Sequence, residues 1–340
     1  MKRYFSIILV FLLVRSLPAH AQDPSFSQFF SSPLNINPGL TGLINADWRA
    51  ISNLRNQWIT PASPYMTGTI SFDTRLTRDA IAHVVSDDNY FSLGTMLMYD
   101  RAMAGVVKGT YASLNLAYSV KILENEGYTH RLSLGFGGIY GRRYIDYSRV
   151  DFEEQFAGYG FNTNLPTGES SLSNMKGYFS LSAGAVYSIK SNHSNFDIGA
   201  SSFHINTPNQ TFLQDENQEL APRKVIHSNF EYRLNEGWVV NANGIFQKQA
   251  EASYFSVGGG LGHFLGDAQN TILNAGVWYW SDNAIIPYVG LAYNNWQFGL
   301  SYDITTSKLT QASFNPGTWE LSIIIRGKRS LSGIIPCPWK

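Results

Sequence analysis

Residues 296–307 read Trp-Gln-Phe-Gly-Leu-Ser-Tyr-Asp-Ile-Thr-Thr-Ser. Successive side chains of an extended strand point to opposite faces. Trp296, Phe298, Leu300, Tyr302 and Ile304 therefore share one face, and Gln297, Gly299, Ser301, Asp303 and Thr305 the other. The apolar face begins with Trp and reaches Tyr near its end, where a membrane strand places its interfacial rings. The same alternation recurs along the chain. Ala112, Leu114, Leu116, Tyr118, Val120 and Ile122 oppose Ser113, Asn115 and Ser119. Phe179, Leu181, Ala183, Ala185, Tyr187 and Ile189 oppose Ser180, Ser182, Gly184 and Ser188. Trp238, Val240, Ala242, Gly244 and Phe246 oppose Asn241, Asn243 and Gln247, and Trp319, Leu321, Ile323 and Ile325 oppose Glu320, Ser322 and Arg326.

The pattern predicts strands at 47–58, 65–76, 90–101, 106–123, 128–146, 177–190, 195–206, 224–234, 237–248, 252–265, 271–281, 284–293, 296–305 and 317–326. No helical period of 3.6 interrupts them. Half-buried strands of a soluble sandwich also alternate. Three features favour a membrane barrel. The strands run to ~10 residues or more, against ~5–6 in globular sheets. Their polar faces carry Ser, Asn, Gly and Gln rather than Lys and Glu, and aromatics gather at strand ends. The expected architecture is all-β, a transmembrane antiparallel β-barrel of about 14 strands. If the first strand rises from the periplasm, the long connections near 147–176, 207–223 and 306–316 fall outside the cell. The short ones near 125–127, 191–194, 235–236 and 294–295 then face the periplasm, as barrels prefer. The connection 77–89 is long and breaks that parity.

Composition sharpens the picture. Charged residues make up 15% of the chain, against about 25% in ordinary soluble domains. Lys plus Arg equals Asp plus Glu, so no electrostatic case for nucleic acid exists. Residues 1–21 read as a signal peptide: Lys2 and Arg3, an apolar run 4–14, then Pro18 and Ala19-His20-Ala21. That run is too short to span a bilayer as a helix, which takes ~20 residues. Residues 22–45 form an N-terminal segment, polar, Pro-punctuated and carrying Phe26, Phe29 and Phe30; it resembles neither helix nor strand. Its rings favour packing inside or beneath the barrel, where it would plug the lumen. Residues 46–340 are then the outer-membrane barrel with its extracellular loops and a short C-terminal tail. The single cysteine, Cys337, can form neither an internal disulfide nor a zinc site.

Catalytic and ligand-binding motifs are absent. No H-E-x-x-H, C-x-x-C or G-x-S-x-G occurs, and Gly258-Gly259-Gly260 lies inside a strand rather than before a helix. His204, His227 and His263 read as lumen or rim residues. The stretch 215–219 lacks the alternating ligands and bend glycine of a calcium loop. Ser202 and His204, two apart on one strand, make the one enzymatic suggestion, a wall hydrolase; no third partner is marked. The expectation is a non-enzyme with no catalytic, cofactor-binding or metal residues and no cofactor.

An ordered set of short motifs resembles the PorP/SprF outer-membrane proteins of the type IX secretion system. It opens with Gln22-Asp23-Pro24-Ser25-Phe26-Ser27-Gln28-Phe29 and Pro33-Leu34-Asn35-Ile36-Asn37-Pro38-Gly39-Leu40-Thr41-Gly42. Arg55-Asn56-Gln57-Trp58, Ser71-Phe72-Asp73, Ile145-Asp146-Tyr147-Ser148 and Glu154-Gln155-Phe156 follow. Then come His204-Ile205-Asn206-Thr207-Pro208-Asn209-Gln210, Asp282-Asn283-Ala284-Ile285-Ile286-Pro287 and Ser301-Tyr302-Asp303-Ile304-Thr305-Thr306-Ser307-Lys308-Leu309. Trp319-Glu320-Leu321-Ser322 and Pro336-Cys337-Pro338-Trp339 complete the set. At Ser313-Phe314-Asn315-Pro316-Gly317 the chain departs from the shorter, Gly-centred turn expected of the family. The resemblance implies a non-enzymatic outer-membrane component of that system. It would be a cargo or assembly adaptor for export or surface attachment of large adhesin-like proteins, with a link to gliding motility. The implied partners are outer-membrane lipid, the periplasmic ring components, and the C-terminal secretion domain of a large cargo. The alternative is a passive porin for small solutes, whose lumen would be wet and open.

Overall fold

Alternation leaves most strands one apolar and one polar face. In the computed structural model these faces are sorted by closing the sheet on itself. The structure describes residues 23–59, 64–76, 89–125, 127–168, 175–210, 218–266, 270–307 and 317–327. The expected signal peptide, the connection 77–88, residues 215–217, the 313–316 departure and the tail with Cys337 lie outside them.

Fourteen strands pair in chain order: β1 (Trp48–Gln57), β2 (Tyr65–Leu76), β3 (Tyr90–Ala102), β4 (Val107–Asn125), β5 (Tyr128–Ile145), β6 (Tyr178–Lys190) and β7 (Ser194–Phe203). The series continues with β8 (Arg223–Arg233), β9 (Trp238–Gln249), β10 (Ala252–Leu265), β11 (Thr271–Trp280), β12 (Ala284–Tyr293), β13 (Trp296–Thr305) and β14 (Thr318–Gly327). Each is antiparallel to the next, and β14 returns to β1, with Trp48 opposite Gly327 and Gln57 opposite Thr318. Closure leaves no edge strand, so every strand finds hydrogen-bond partners on both sides. All fourteen sequence-predicted strands are present. The largest end difference is at β7, which stops at Phe203 because His204 turns to φ 57°.

The face assignments hold. Trp296, Phe298, Leu300, Tyr302 and Ile304 are exposed on the outer wall, while Gln297, Ser301 and Asp303 are buried inside. Outward Trp48, Trp238, Tyr293 and Trp296 sit at the end bearing the short turns; Tyr65, Tyr99, Tyr140, Tyr279 and Tyr302 sit toward the end bearing the long loops. These are the two aromatic girdles of a membrane barrel. Among the described residues no helix is long and apolar enough to cross a membrane.

Residues 23–46 thread the lumen. The segment is not wholly irregular: short helical turns form at Phe29–Ser31, Pro33–Ile36 and Pro38–Leu40, the last two with Pro where a helix start tolerates its missing N–H. Phe29 and Ile36 pack with inward Phe203, Val225, Ile245, Trp278, Trp280, Ile286 and Tyr288. Phe26 and Leu34 pack with Met96, Met98, Tyr111, Tyr178 and Leu220. Phe30 lies 4.8 Å from the Trp278 ring and edge-on to Tyr288 at 5.6 Å. Part of the inner wall is thus apolar, because it faces protein rather than water.

Candidate functional site: the seal of the lumen

Polar groups buried with this segment must be paired, and the pairing falls into three clusters. The first joins the segment to β1, β13 and β14. Backbone N–H groups of Ser27 and Gln28 donate to the two oxygens of Glu320 at 2.6 and 2.7 Å. Ser27 Oγ donates to Asp303 Oδ2 at 2.6 Å. Arg55 lies 3.1 Å from Asp303 Oδ2 and also bonds Glu320. The Gln28 amide donates to Ser301 Oγ at 3.0 Å and accepts from Ser322 Oγ at 2.7 Å. All of these side chains are fully buried.

The second cluster holds the start of the segment. Asp23 Oδ2 is 2.7 Å from His204 Nε2 and 3.0 Å from Arg223 Nε. Ser180 Oγ lies 2.7 Å from His204 Nδ1, and the Asp23 N–H donates to Gln249 Oε1 at 2.9 Å. Burial pushes the Asp23 carboxyl up, but Arg223 and His204 outweigh it and hold it well below the usual carboxylate range. The Ser202–His204 pairing does not form. The positive φ at His204 breaks the alternation, so His204 turns inward while Ser202 sits opposite Ala183 on the outward face. The serine that His204 does meet, Ser180, is completely buried, so no substrate reaches it.

The third cluster is the turn around Asn37. Its Nδ2 donates to Ala185 O and Ala200 O, both at 3.1 Å, and lies 3.0 Å from His227 Nε2. Its Oδ1 accepts the Gly39 N–H at 2.8 Å. The wall approaches so closely here that a Cβ at Gly184 would meet Asn37 Oδ1 at 2.0 Å, and one at Gly135 would meet Pro38 C at 2.2 Å. Below it, Arg49 grips Asp73 with two bonds of 3.0 and 2.9 Å, and Asp73 accepts the Gly42 N–H at 2.8 Å.

The motif residues scattered through the sequence therefore converge. Ser27, Gln28, Asn37, Arg55, Asp73, His204, Asp303 and Glu320 fasten one segment to the wall. Others brace loops. Asn206 bonds the backbone of Leu181 and Phe179, and Gln155 bonds Leu165 O. Asp146 accepts from Ser148 Oγ at 2.6 Å and Lys108 Nζ at 2.9 Å, which hold its carboxyl down at about 2. Asn241, Asn243 and Gln247 point inward as expected. Of the three histidines, His204 and His227 are lumenal, and His263 contacts Gly237 O at the turn-end rim. Sequence reasoning placed Ser180 on a polar face without giving it a role, and it missed Arg49, Arg223 and the inward Trp278, Trp280 and Tyr288. The outward Val277, Tyr279 and Val289 beside those three rings are apolar too, so alternation does not mark them. Among the described residues no cluster suited to a metal ion occurs. A cavity of about 330 Å³ opens at the loop end, between Asp23, Trp58, Gln247, Gln249, Tyr254 and Trp280, and another of about 270 Å³ at the turn end.

An apolar outer wall with two aromatic girdles, closed strand pairing and a filled, polar-lined lumen define an outer-membrane β-barrel protein. Residues 19–325 match the type IX secretion system membrane proteins PorP/SprF, and the chain belongs to that family and resides in the outer membrane. The family is one of secretion-system membrane proteins rather than of enzymes. No curated protein matches the chain. Solved structures with a similar fold include the toluene transporter TodX of P. putida, 9% identical, covering 86% of this chain and 93% of that one with a TM-score of 0.47. A Pseudomonas aeruginosa FadL homologue is 10% identical over 86% of this chain and 93% of that one, TM-score 0.44. CdiB from Acinetobacter baumannii is 9% identical over 82% of this chain, TM-score 0.43; the chain spans 60% of CdiB's length.

Proposed function

We propose that the protein is a sealed adaptor of the type IX secretion system. It holds a cargo or assembly partner at the outer membrane and passes no solute through its own lumen. The observation that supports this most is the lumenal segment 23–46, fastened by charge-assisted bonds to Glu320, Asp303, Arg223 and Asp73. Such bonds are stronger than neutral ones, and buried carboxylates left by a departing segment would be costly. A passive porin needs that segment out of the way. With β1 rising from the periplasm, the loop stretches 146–168 and 204–210 face outward toward cargo, and the short turns face the periplasmic ring.

The lipid, the ring components and the C-terminal secretion domain of a large adhesin-like cargo are the partners this reading names. Affinity purification of the tagged protein from gently solubilised outer membranes, with mass spectrometry of co-purifying proteins, tests it. Recovery of ring components or a protein with a C-terminal secretion domain is the expected result; a solitary barrel in repeated preparations would overturn it.

A further inference from the structure

Between β5 and β6 the chain builds a small hairpin outside the barrel sheet. Phe156 and Phe161 pair across it as an antiparallel bridge. The Asn162 N–H donates to Gln155 O at 2.7 Å, and the Ala157 N–H to Gly160 O at 2.8 Å. Gly158, at the turn, takes φ 84°, a conformation that a Cβ would resist. The base is pinned by the buried Gln155, which accepts the Phe152 N–H at 3.2 Å and donates to Leu165 O at 3.0 Å. The tip is therefore fixed by its own hydrogen bonds.

What it displays is aromatic. Tyr159 is 95% exposed, Phe156 and Phe161 are each 53% exposed, and the two Phe rings meet edge-on at 5.3 Å. Apolar residues scattered singly over a surface are ordinary, whereas clustered ones mark interaction surfaces. Rings held on a fixed hairpin offer a large contact area with little side-chain entropy left to lose on binding.

Charge selects the occupant. Asp151, Glu153 and Glu154 are exposed at the base of the hairpin. Residues 150–175 carry these three carboxylates and Glu169, with no Lys, Arg or His among them. Aromatic rings also suit a membrane interface, but this much negative charge is repelled by anionic headgroups. A second copy of the hairpin has the same sign and is repelled as well. The complementary surface is that of a protein, with an apolar centre and a basic rim.

We propose that the 156–161 hairpin is the docking element for the partner protein, seating Phe156, Tyr159 and Phe161 in an apolar cleft bordered by Lys and Arg. The inference rests on the adaptor reading, which turns this loop toward a partner, and it names the surface and the partner's chemistry.

Photo-crosslinking in intact cells tests it, with p-benzoylphenylalanine in place of Tyr159 and, in a control, of the exposed Asn192 at the turn end. Mass spectrometry reads the crosslinked peptide. The domain so identified is purified, and its affinity for the full-length protein in nanodiscs is compared with that for a Phe156→Ser/Tyr159→Ser/Phe161→Ser variant. Heat-modifiable migration verifies that the variant is a folded barrel. The expected result is a protein crosslinked from position 159 and not from 192, with Lys or Arg flanking the crosslinked residue. Its binding should weaken about tenfold or more in the variant, and weaken with rising salt. Crosslinks to lipid alone, to a second copy of this chain or to nothing would overturn the proposal. Equal affinity for the folded variant, or binding indifferent to salt, would do the same. If the tagged parent and the variant recover the partner equally in affinity purification, the hairpin is excluded and the adaptor reading stands. If the parent recovers no partner, the adaptor reading falls and takes this inference with it.

Discussion

At the scale of single residues, the seal is decided by a few carboxylates buried against backbone N–H groups. Glu320 accepts from both Ser27 and Gln28 and pairs with Arg55. Replacing it with Gln keeps the shape but leaves Arg55 short of a counter-charge and one backbone N–H without an acceptor. Breaking a buried pair costs about 3–5 kcal/mol. We expect Glu320→Gln to lose a comparable amount in urea unfolding of the reconstituted protein. Asp23 carries a pH dependence. Its folded carboxyl is held below the ordinary value of ~3.9, so its contribution is fully present above that value. The contribution is lost only as pH falls through the lower folded value. The protection factors of residues 23–30 in hydrogen exchange, which remove the intrinsic pH dependence of exchange, should therefore be the same at pH 5 as at pH 7. Asp23→Asn should exchange faster at both.

At the scale of elements, the strand faces carry separate duties. Leu116 lies on the outer wall near the middle of β4. Leu116→Arg should cost ~2–4 kcal/mol in refolding titrations into bilayers, falling if the position lies nearer an interface. The inner face is tested at Gly135, where the Asn37–Leu40 turn touches the wall of β5. Gly135→Ala keeps the strand and displaces the turn. We expect intact heat-modifiable migration with faster proteolysis of the segment.

Strand positions were legible because alternation is a local, period-2 property. The length of β13 and the outward set from Trp296 to Ile304 can be read from ten residues alone. The apolar inner patch on β11 and β12 was not legible. Ile285 and Val289 face outward and Ile286 and Tyr288 inward, so both faces look alike in sequence. The separation of His204 from Ser202 was hidden for the opposite reason: a single left-handed residue ends the alternation and turns the ring into the lumen, and nothing in its neighbours announces that.

At the scale of the whole molecule, the structure describes a barrel whose own N-terminal segment fills its core. Planar-bilayer recordings of the intact protein should show little or no ion conductance. Deletion of residues 23–45 should leave a barrel that conducts, because inward Ser, Asn and Gln then line a hydrated passage. High, unchanged conductance in both proteins would restore the porin reading.

The sequence by itself determined the strand count, the outward face of nearly every strand, and the ordered motifs that mark the family. Each rests on contacts between near neighbours or on the choice between lipid and interior. The tertiary structure alone decided what the motifs do. Ser27 meets Glu320 across 293 positions, and Asp23 meets His204 across 181. Periodicity cannot encode such pairs, because closing the barrel and threading its lumen are what bring them together.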